Sequence, residues 1–227
     1  MCGRFSMTVS PDKIRTAFPG LKLSWEPPPR YNVAPSQEVL VALNDGSSEI
    51  TTARWGLVPS WEKSPDGGRK PINARLETLA ESRLFAPLLR RRRCAIFGDG
   101  FYEWGLEDGK KIPYYFSLKA GEPFAFAGLW DVREGSSSCT IVTGPPNALV
   151  APIHDRMPMI LLNDDLSSWI RVGELPAGDA IAMLHPYPEE LMKSRRVSRL
   201  VNNTRNDVPE ILTADNRGGV DLSRGGN

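Results

Sequence analysis

Histidine and cysteine are scarce in this chain of 227 residues, which contains two histidines and three cysteines. The cysteines, Cys2, Cys94 and Cys139, are odd in number and widely spaced, so they suggest neither a disulfide framework nor a paired-cysteine metal site. Two distant histidines beside unpaired cysteines do not give the ligand set of a zinc centre. The sequence therefore predicts a protein of a reducing compartment that uses no metal ion and no other cofactor.

Long apolar runs and a strong net charge are also absent. No stretch approaches the roughly 18 apolar residues of a membrane span, and the N-terminus lacks the apolar core of a signal peptide. The net charge of +1 excludes a general attraction to polyanions, so any such site must come from a local cluster of basic side chains. We expect a cytoplasmic protein without a membrane partner.

Short strand-like segments dominate the pattern, and glycine, proline, asparagine and aspartate separate them. Strands are predicted at 38–44, 50–58, 93–104, 113–118, 124–132, 139–144 and 157–162, with a further strand at 197–202. Short helices are predicted at 10–18, 77–84, 163–172 and 177–185, with Pro87 breaking or kinking the chain after the second. This pattern predicts an α+β fold, a single domain with a mostly antiparallel, barrel-like β core and a few peripheral short helices. The domain is expected to span 2–213, and the polar, glycine-rich segment 214–227 to be a disordered tail.

The sequence begins MCGRF, which places Cys2 directly behind the initiator methionine. Cysteine is small enough for aminopeptidases to remove that methionine, and Cys2 would then carry a free α-amine beside its thiol. With ordinary pKa values of about 7.7–8 and about 8.5, a useful fraction of each group is unprotonated at neutral pH. Such an aminothiol can attack an aldehyde through the amine and close a thiazolidine ring through sulfur. The alternative is an incidental cysteine in a frayed terminus.

Three further polar residues are candidates for acid–base chemistry or positioning. His154, in PIHDRMP, precedes an apolar strand, and the alternative is a satisfied structural histidine. Glu103, in DGFYEWG, shares a strand face with Phe101 and not with Trp104, and burial beside aromatic rings would raise its pKa toward neutrality. A solvated glutamate at the rim is the alternative. Asn73, in PINARLET, can donate and accept hydrogen bonds, or it caps a helix.

Basic and aromatic side chains supply candidate contacts to a polyanion. Arg75 can bind a phosphate group through both ends of its guanidinium. The run Arg90–Arg93 can also bind phosphates, or it is a solvated helix end that leads into a strand. Trp61, in a proline-rich loop, can stack on an unpaired base or cover the core. His185, in LHPYP, is expected to be a surface residue.

Several short motifs follow one another along the chain. They are MCGRF (1–5), YNVAPSQ (31–37), RWGLVPSW (54–61), INARLET (72–78), FGDGFYEW (97–104), FAGLWD (126–131), TIVTGPPN (140–147) and IHDRMPMIL (153–161). In this order they resemble the SOS response-associated peptidase family, the abasic-site-processing proteins, from residue 1 to about residue 202. The resemblance implies a single α+β domain with a barrel-like core, a positively charged groove and covalent capture of abasic sites in single-stranded DNA.

By residue matching, the resemblance implies an enzyme in which Cys2 is the nucleophile, with Asn73, Glu103 and His154 around it. It implies DNA contacts from Arg4, Asn32, Pro35, Trp61, Arg75, Trp104 and Arg156. The expected partner is single-stranded DNA with abasic sites, bound by a monomer that is nucleoid-associated when on DNA. The family name also implies a peptidase activity on residues ahead of Cys2, where only Met1 stands. Glu62 occupies a position where some relatives have a second aromatic residue, which weakens the stacking expected there.

Two other functions fit the same residues. One is a thiol peptidase or amidase with an N-terminal nucleophile, in which Cys2 works with Glu103 and His154. The other is a non-enzymatic module for binding single-stranded DNA, in which Cys2 is incidental and Cys2→Ala leaves binding unchanged.

The first testable prediction concerns the N-terminus. We expect the protein expressed in cells to lack Met1, because the small side chain of Cys2 permits its removal. Intact-mass spectrometry measures this directly. A protein that keeps Met1 and still cross-links to an abasic site would exclude the α-amine of Cys2 from the reaction.

Overall fold

The structure is a computed structural model that describes residues 2–62 and 70–214. Its strands are β1 (Phe5–Met7), β2 (Arg30–Val33), β3 (Glu38–Leu43), β4 (Ile50–Trp55), β5 (Asn73–Arg75), β6 (Arg93–Gly98), β7 (Gly100–Glu107), β8 (Lys110–Leu118), β9 (Phe124–Arg133), β10 (Ser136–Gly144), β11 (Met157–Pro158), β12 (Ile160–Leu161) and β13 (Met192–Arg196). The α-helices are α1 (Pro11–Ala17), α2 (Phe85–Arg91), α3 (Asn163–Trp169) and α4 (Ala177–Ala182). Short 3₁₀ helices cover Leu76–Thr78, Glu189–Leu191, Arg199–Asn202 and Pro209–Leu212.

Five strands close into a barrel. They pair in the order β10, β4, β3, β6 and β9, and β9 pairs back with β10 to complete the ring. The pairings are antiparallel except that of β4 with β10, which is parallel. Buried side chains such as Val41, Ile96 and Ile141 lie on these strands. Because the barrel is closed, each of its strands has a hydrogen-bonded neighbour on both sides. The predicted α+β fold with a barrel-like, mostly antiparallel core is confirmed.

A second sheet has five strands among the described residues, in the antiparallel order β13, β8, β7, β1 and β2. The single strand predicted at 93–104 is therefore wrong, because β6 belongs to the barrel and β7 to this sheet. The chain bends at Asp99, whose carboxylate accepts hydrogen bonds from Ser6 Oγ at 2.6 Å, Thr8 Oγ1 at 2.6 Å and Val9 N at 3.0 Å. These contacts come from distant residues, but the stretch Gly98–Asp99–Gly100 is itself a turn signal that the prediction of one continuous strand overlooked.

Strand β1 joins the barrel to the second sheet. Phe5 lies opposite Val33 of β2 and Phe101 of β7. Its ring makes edge-on contacts with Trp55 and Phe126 of the barrel, with ring centroids 5.2 and 5.5 Å apart. Such aromatic pairs stabilise a fold beyond the area that they bury. The residues just ahead of Phe5 are therefore held where the two sheets meet.

Most of the other predicted elements are confirmed. The strands predicted at 38–44, 113–118, 124–132 and 139–144 correspond to β3, β8, β9 and β10, and the helices at 10–18, 163–172 and 177–185 to α1, α3 and α4. The strand predicted at 50–58 ends at Trp55, where Gly56 adopts a positive φ of 127°. The segment 157–162 contains two short strands with different partners, since β11 pairs with β10 and β12 with β9.

The helix predicted at 77–84 is wrong. The chain forms only the 3₁₀ turn Leu76–Thr78 there, and α2 begins later, at Phe85. Pro87, expected to break a helix, lies in the first turn of α2 instead. The backbone N–H that proline lacks has no partner within the helix at that position, so the helix tolerates it.

The strand predicted at 197–202 is also wrong. Strand β13 ends at Arg196, and Arg199–Asn202 forms a 3₁₀ helix. The side-chain oxygen of Ser198 accepts a hydrogen bond from Leu200 N at 3.3 Å, which caps this helix. The apolar residues of the segment resemble a strand, but Val201 is buried under the second sheet against Tyr102 and Tyr115.

The arginine run at 90–93 divides into two halves, since Arg90 and Arg91 are exposed and a phosphate contact from them stays a prediction, whereas the other two are used inside the protein. Arg93 is buried, and its guanidinium donates hydrogen bonds to backbone carbonyls including those of Trp169 at 2.8 Å and Arg171 at 2.9 Å. Arg92 lies over the Trp130 ring at 4.9 Å from its centroid. These two side chains are structural, because their charges are used to satisfy loop carbonyls and to pack on an aromatic face.

The predicted tail at 214–227 lies outside the described residues except for Ala214, which pairs with Val197 in an isolated bridge. Its disorder and the boundary of the domain at 213 therefore stay predictions. Within the described part of the chain, none of the helices has the length and apolar character needed to cross a membrane.

The bend between β6 and β7 yields a stability prediction. A Cβ on Gly100 would overlap the ring and hydroxyl of Tyr115, which is buried and bonded to Ser6. We expect Gly100→Ala to lower the free energy of unfolding by at least about 2 kcal/mol, measured by urea denaturation. Gly20→Ala is the matched control, since open space surrounds the position of its Cβ, and it should change stability by less than about 0.5 kcal/mol. Equal stability of the two variants would contradict the close approach.

Candidate active site

Cys2 lies three residues ahead of β1 and is fully buried. Asn73, at the start of β5, holds it in place by donating a hydrogen bond from Nδ2 to Cys2 O at 2.9 Å. Because β5 pairs with β10, with Asn73 opposite Ile141, the barrel determines where this amide lies. Asn73 Oδ1 is also buried and has no hydrogen-bond partner in the described part of the chain. Asn73 is therefore a positioning residue for Cys2 with one acceptor still available.

Glu103 lies on β7 and is 3% exposed. As the alternation predicts, its neighbours Tyr102 and Trp104 pack in a separate cluster on the other face of the strand, while Phe101 belongs to the main core. Burial raises the pKa of Glu103 to about 7, and the nearby charge of Asp155 acts in the same direction. A carboxyl group with this pKa can donate a proton at neutral pH and accept it back.

His154 faces Glu103, with 3.9 Å between His154 Nε2 and Glu103 Oε2. Its other nitrogen, Nδ1, accepts a hydrogen bond from Arg156 N at 3.0 Å. Burial lowers the pKa of the imidazole, although the Asp155 carboxylate 2.9 Å from Nδ1 opposes this. Asp155 is 87% exposed and screened by water, so we assign the neutral ring. Because Nδ1 of the neutral ring accepts the hydrogen bond from Arg156 N, the proton of the ring lies on Nε2, on the side of Glu103.

The thiol of Cys2 behaves differently from a free cysteine. Burial raises its pKa well above the ordinary value, and the charge of Glu103 raises it further. The expectation of a partly ionised thiol at neutral pH is therefore wrong for the folded chain, because burial disfavours the thiolate. Sulfur can attack only if its proton is transferred to another group during the reaction.

An open cleft of about 440 Å³ leads to Glu103 and His154. It is also lined by Arg4, Trp104, Lys111 and Asn202. The sequence reading missed Lys111 and Asn202. The pair Asp108–Gly109 is a sequence signal for a two-residue hairpin turn, and both residues have a positive φ, of 46° and 73°. This turn places Lys111 opposite Leu106. The sequence contains no comparable signal for Asn202, because this residue reaches the cleft from the 3₁₀ helix Arg199–Asn202, which is remote in the chain.

Arg4 is held at the cleft by bonds to two remote residues. Its Nη1 donates to Asn32 Oδ1 at 2.7 Å and to Val201 O at 2.6 Å. Its guanidinium carbon lies 5.8 Å from the centroid of the Trp104 ring, whose Nε1 donates to Asn202 Oδ1 at 2.8 Å. Asn32 itself is fully buried, and its Nδ2 donates to the carbonyl oxygens of Asn203 at 3.0 Å and Asn206 at 2.7 Å, so it holds the segment around Asn202 as well as Arg4.

A second cleft, of about 510 Å³, lies on the side of Asn73 and contains Arg75. Lys70, Ile72, Leu84 and Phe85 also line it, so basic and apolar groups occur side by side there. Arg75 is exposed. Each of the two clefts therefore has two basic side chains in its wall, Arg4 and Lys111 in the first and Lys70 and Arg75 in the second.

The remaining predicted residues lie outside both clefts. Arg156 donates to Glu77 and to Thr143. Pro35 is half-buried in the turn between β2 and β3, and Trp61 is 70% exposed. His185 is exposed, as predicted. The structure thus brings together the predicted set of Cys2, Asn73, Glu103, His154, Arg4 and Trp104.

Comparisons with known proteins agree with this set of motifs. A family model described as SOS response associated peptidase (SRAP) matches residues 1–204. The chain is 42% identical to the abasic site processing protein YoqW of Bacillus subtilis, over 93% of this chain and 99% of the relative. It is 34% identical to the abasic site processing protein HMCES of Xenopus tropicalis, over 94% and 78% of the two chains. A crystal structure of a Bacteroides thetaiotaomicron protein superposes with a TM-score of 0.84 at 25% identity, covering 94% of this chain and 99% of that one.

The raised pKa of Glu103 predicts a pH-dependent stability. Between the ordinary value of 4.5 and about 7, the unfolded chain loses the proton while the folded chain keeps it, so wild-type stability falls as pH rises through this window. Glu103→Gln removes this loss. We expect the free energy of unfolding of Glu103→Gln, relative to wild type, to rise between pH 4 and pH 8 by on the order of 3 kcal/mol.

Urea denaturation at several pH values measures this difference. Glu122→Gln, at an exposed position, is the matched control and should show no comparable rise. A constant difference between Glu103→Gln and wild type from pH 4 to pH 8 would show that Glu103 titrates like an ordinary carboxyl group.

Proposed function

We propose that this chain, which belongs to the SOS response associated peptidase family, processes abasic sites in single-stranded DNA by forming a thiazolidine cross-link through Cys2. Relatives that match nearly their whole length are named abasic site processing proteins. The observation that carries the proposal is the placement of a buried carboxyl group, Glu103, which faces His154 at 3.9 Å and raises the pKa of the thiol of Cys2, a residue whose carbonyl oxygen Asn73 holds.

The first step of the proposed reaction opens the sugar. An abasic deoxyribose is mostly a closed hemiacetal, and its reactive form is the ring-opened aldehyde. Glu103, neutral at pH values below about 7, donates its proton to the ring oxygen as the bond from that oxygen to C1 breaks. The C1 hydroxyl gives its proton to a solvent water, and the aldehyde forms. General acid catalysis of this kind contributes roughly 10²–10⁴-fold to a rate.

The second step uses the α-amine of Cys2. The nitrogen attacks the C1 aldehyde, and the carbinolamine loses water to give an imine. The Asn73 bond to Cys2 O keeps the residue in one orientation, and the buried Asn73 Oδ1 can accept a hydrogen bond from the attacking amine. Positioning of this kind makes the subsequent ring closure effectively intramolecular.

The third step forms the carbon–sulfur bond. Because burial keeps the thiol protonated, its proton must move to the imine nitrogen as sulfur adds to C1. Glu103, ionised after the first step, can accept the proton from sulfur and pass it to nitrogen. The three steps together consume one closed sugar and one aminothiol and form one thiazolidine and one water, and Glu103 regains its proton from the solvent that received the proton of the C1 hydroxyl. His154 Nε2–H, 3.9 Å from Glu103, can hydrogen-bond to the leaving water or to the sugar oxygen.

The cationic walls support DNA as the substrate. Arg4 and Lys111 line one cleft, and Lys70 and Arg75 the other, so phosphates on both sides of the abasic sugar would meet positive charge. The exposed Trp61 offers a face for an unpaired base, and Trp104 lines the first cleft beside Arg4. The peptidase alternative needs a thiolate nucleophile, and the burial of Cys2 disfavours one.

The experiment is a denaturing-gel time course with an abasic single-stranded oligonucleotide. Wild type should give a heat-stable adduct. Cys2→Ser should give little or none, because its hydroxyl closes the ring poorly, and Cys2→Ala should give only an imine that is trapped by borohydride.

Cys139→Ala is the matched control, since it removes a second buried cysteine that lies in the barrel, and it should cross-link as wild type does. A heat-stable adduct formed by Cys2→Ala at the wild-type rate would exclude the aminothiol mechanism. An adduct on undamaged DNA would exclude the abasic aldehyde as the reacting group.

A further inference from the structure

Glu77 and Arg156 form an ion pair next to the second cleft, because Arg156 is bonded to Thr143 and Thr143 lies opposite Arg75, which lines that cleft. Arg156 Nη1 lies 3.0 Å from Glu77 Oε1, and Arg156 Nη2 lies 2.9 Å from Glu77 Oε2. Two parallel N–H···O bonds between a guanidinium and a carboxylate form the same two-pronged arrangement that a guanidinium makes with a phosphate. The two carboxylate oxygens of Glu77 thus occupy the positions at Arg156 that two oxygens of a DNA phosphate would take.

Arg156 has few donors left. Its Nε donates to Thr143 Oγ1 at 3.3 Å, and its Nη2 also donates to Thr143 O at 2.5 Å. A guanidinium has five N–H groups, and four of them are used by Glu77 and Thr143. A phosphate can therefore bind Arg156 fully only by displacing the Glu77 carboxylate.

The exposure of the two partners permits this exchange. The Arg156 side chain is 13% exposed and is held by Thr143 of β10, whereas the Glu77 side chain is 49% exposed and lies in the short 3₁₀ turn Leu76–Thr78. The second cationic neighbour of Glu77 is Arg75, whose charge also lowers the pKa of this carboxyl, after the hydrogen bond from Arg156 as the main cause. One acidic group therefore pairs with Arg156 and also acts on the neighbouring Arg75, which is exposed and lines the second cleft.

We propose that Glu77 is an internal competitor for the DNA phosphate at Arg156 and keeps non-covalent binding of DNA weak. This inference rests on the proposed function. Weak binding suits a protein that identifies its target by a covalent reaction. Undamaged strands, which carry no aldehyde, dissociate quickly, and an abasic strand is retained once the cross-link has formed. Without this competition, undamaged single strands would occupy the site and delay the encounter with damage.

The alternative role of Glu77 is to orient Arg156 for DNA. The two roles predict opposite effects of Glu77→Gln, which keeps a hydrogen-bond acceptor for Arg156 and removes the charge. Competition predicts tighter binding to undamaged single strands, and orientation predicts equal or weaker binding. Glu81→Gln is the matched control, because Glu81 is exposed in the same segment and the variant has the same net charge.

The experiment measures fluorescence anisotropy of a labelled undamaged oligothymidine at several salt concentrations. We expect Glu77→Gln to bind about 2- to 5-fold more tightly than wild type and than Glu81→Gln, the range that a rim ion pair contributes. The plot of log affinity against log salt should be steeper by about 0.7, since one further phosphate is neutralised. A purely structural role would not change this slope in that direction.

A second measurement tests the consequence for damage recognition. With excess undamaged strand present, Glu77→Gln should cross-link to an abasic oligonucleotide more slowly than wild type, and without competitor both should reach the same end point. If Glu77→Gln binds no more tightly than Glu81→Gln, the competitor role is wrong while the cross-linking function stands. If wild type neither binds nor cross-links to abasic strands, the proposed function is wrong and this inference with it.

Discussion

The hydrogen bonds of one buried carboxylate, Asp99, determine where the N-terminus of this protein lies. Asp99 bends the chain from the barrel strand β6 into the sheet strand β7, and at that bend it accepts bonds from Ser6, Thr8 and Val9. The same residue therefore connects the two sheets and holds β1 between them. Because β1 begins three residues after Cys2, the position of Cys2 is set by the packing of β1 between the two sheets.

Burial has opposite chemical consequences for the two groups that meet at this terminus. It raises the pKa of Glu103 to about 7, which makes the carboxyl group a useful acid and base at neutral pH. It also raises the pKa of the Cys2 thiol, which makes sulfur less reactive on its own. Burial thus disfavours the Cys2 thiolate, and it also gives Glu103 a pKa at which this carboxyl group can accept the proton of the thiol. A site of this kind favours reactions in which amine, acid and thiol act in sequence over those that begin with a thiolate.

Local patterns in the sequence were sufficient for much of the fold and for the main members of the site. Alternation in DGFYEWG correctly separated Glu103 from Trp104, and runs of β-branched and aromatic residues located most barrel strands. The errors arose where distant residues decide the local structure. The segment 197–202 has the composition of a strand, but it folds over the second sheet and caps itself with Ser198. Asn202 reaches the cleft only through that fold.

The sequence by itself determined the chemical inventory, namely a cysteine at position 2, a glutamate between aromatic residues, and the asparagine, histidine and arginines of the motifs. It also determined the fold class, because alternation and turn residues act over a few neighbours. Only the tertiary structure decided which arginines face a cleft and which are used inside the protein. Arg93 and Arg4 are the same kind of residue, yet one satisfies buried carbonyls and the other lines the cleft. The reason is that desolvation and ion pairing depend on residues far apart in the chain, and these meet only after the barrel and the second sheet have packed together.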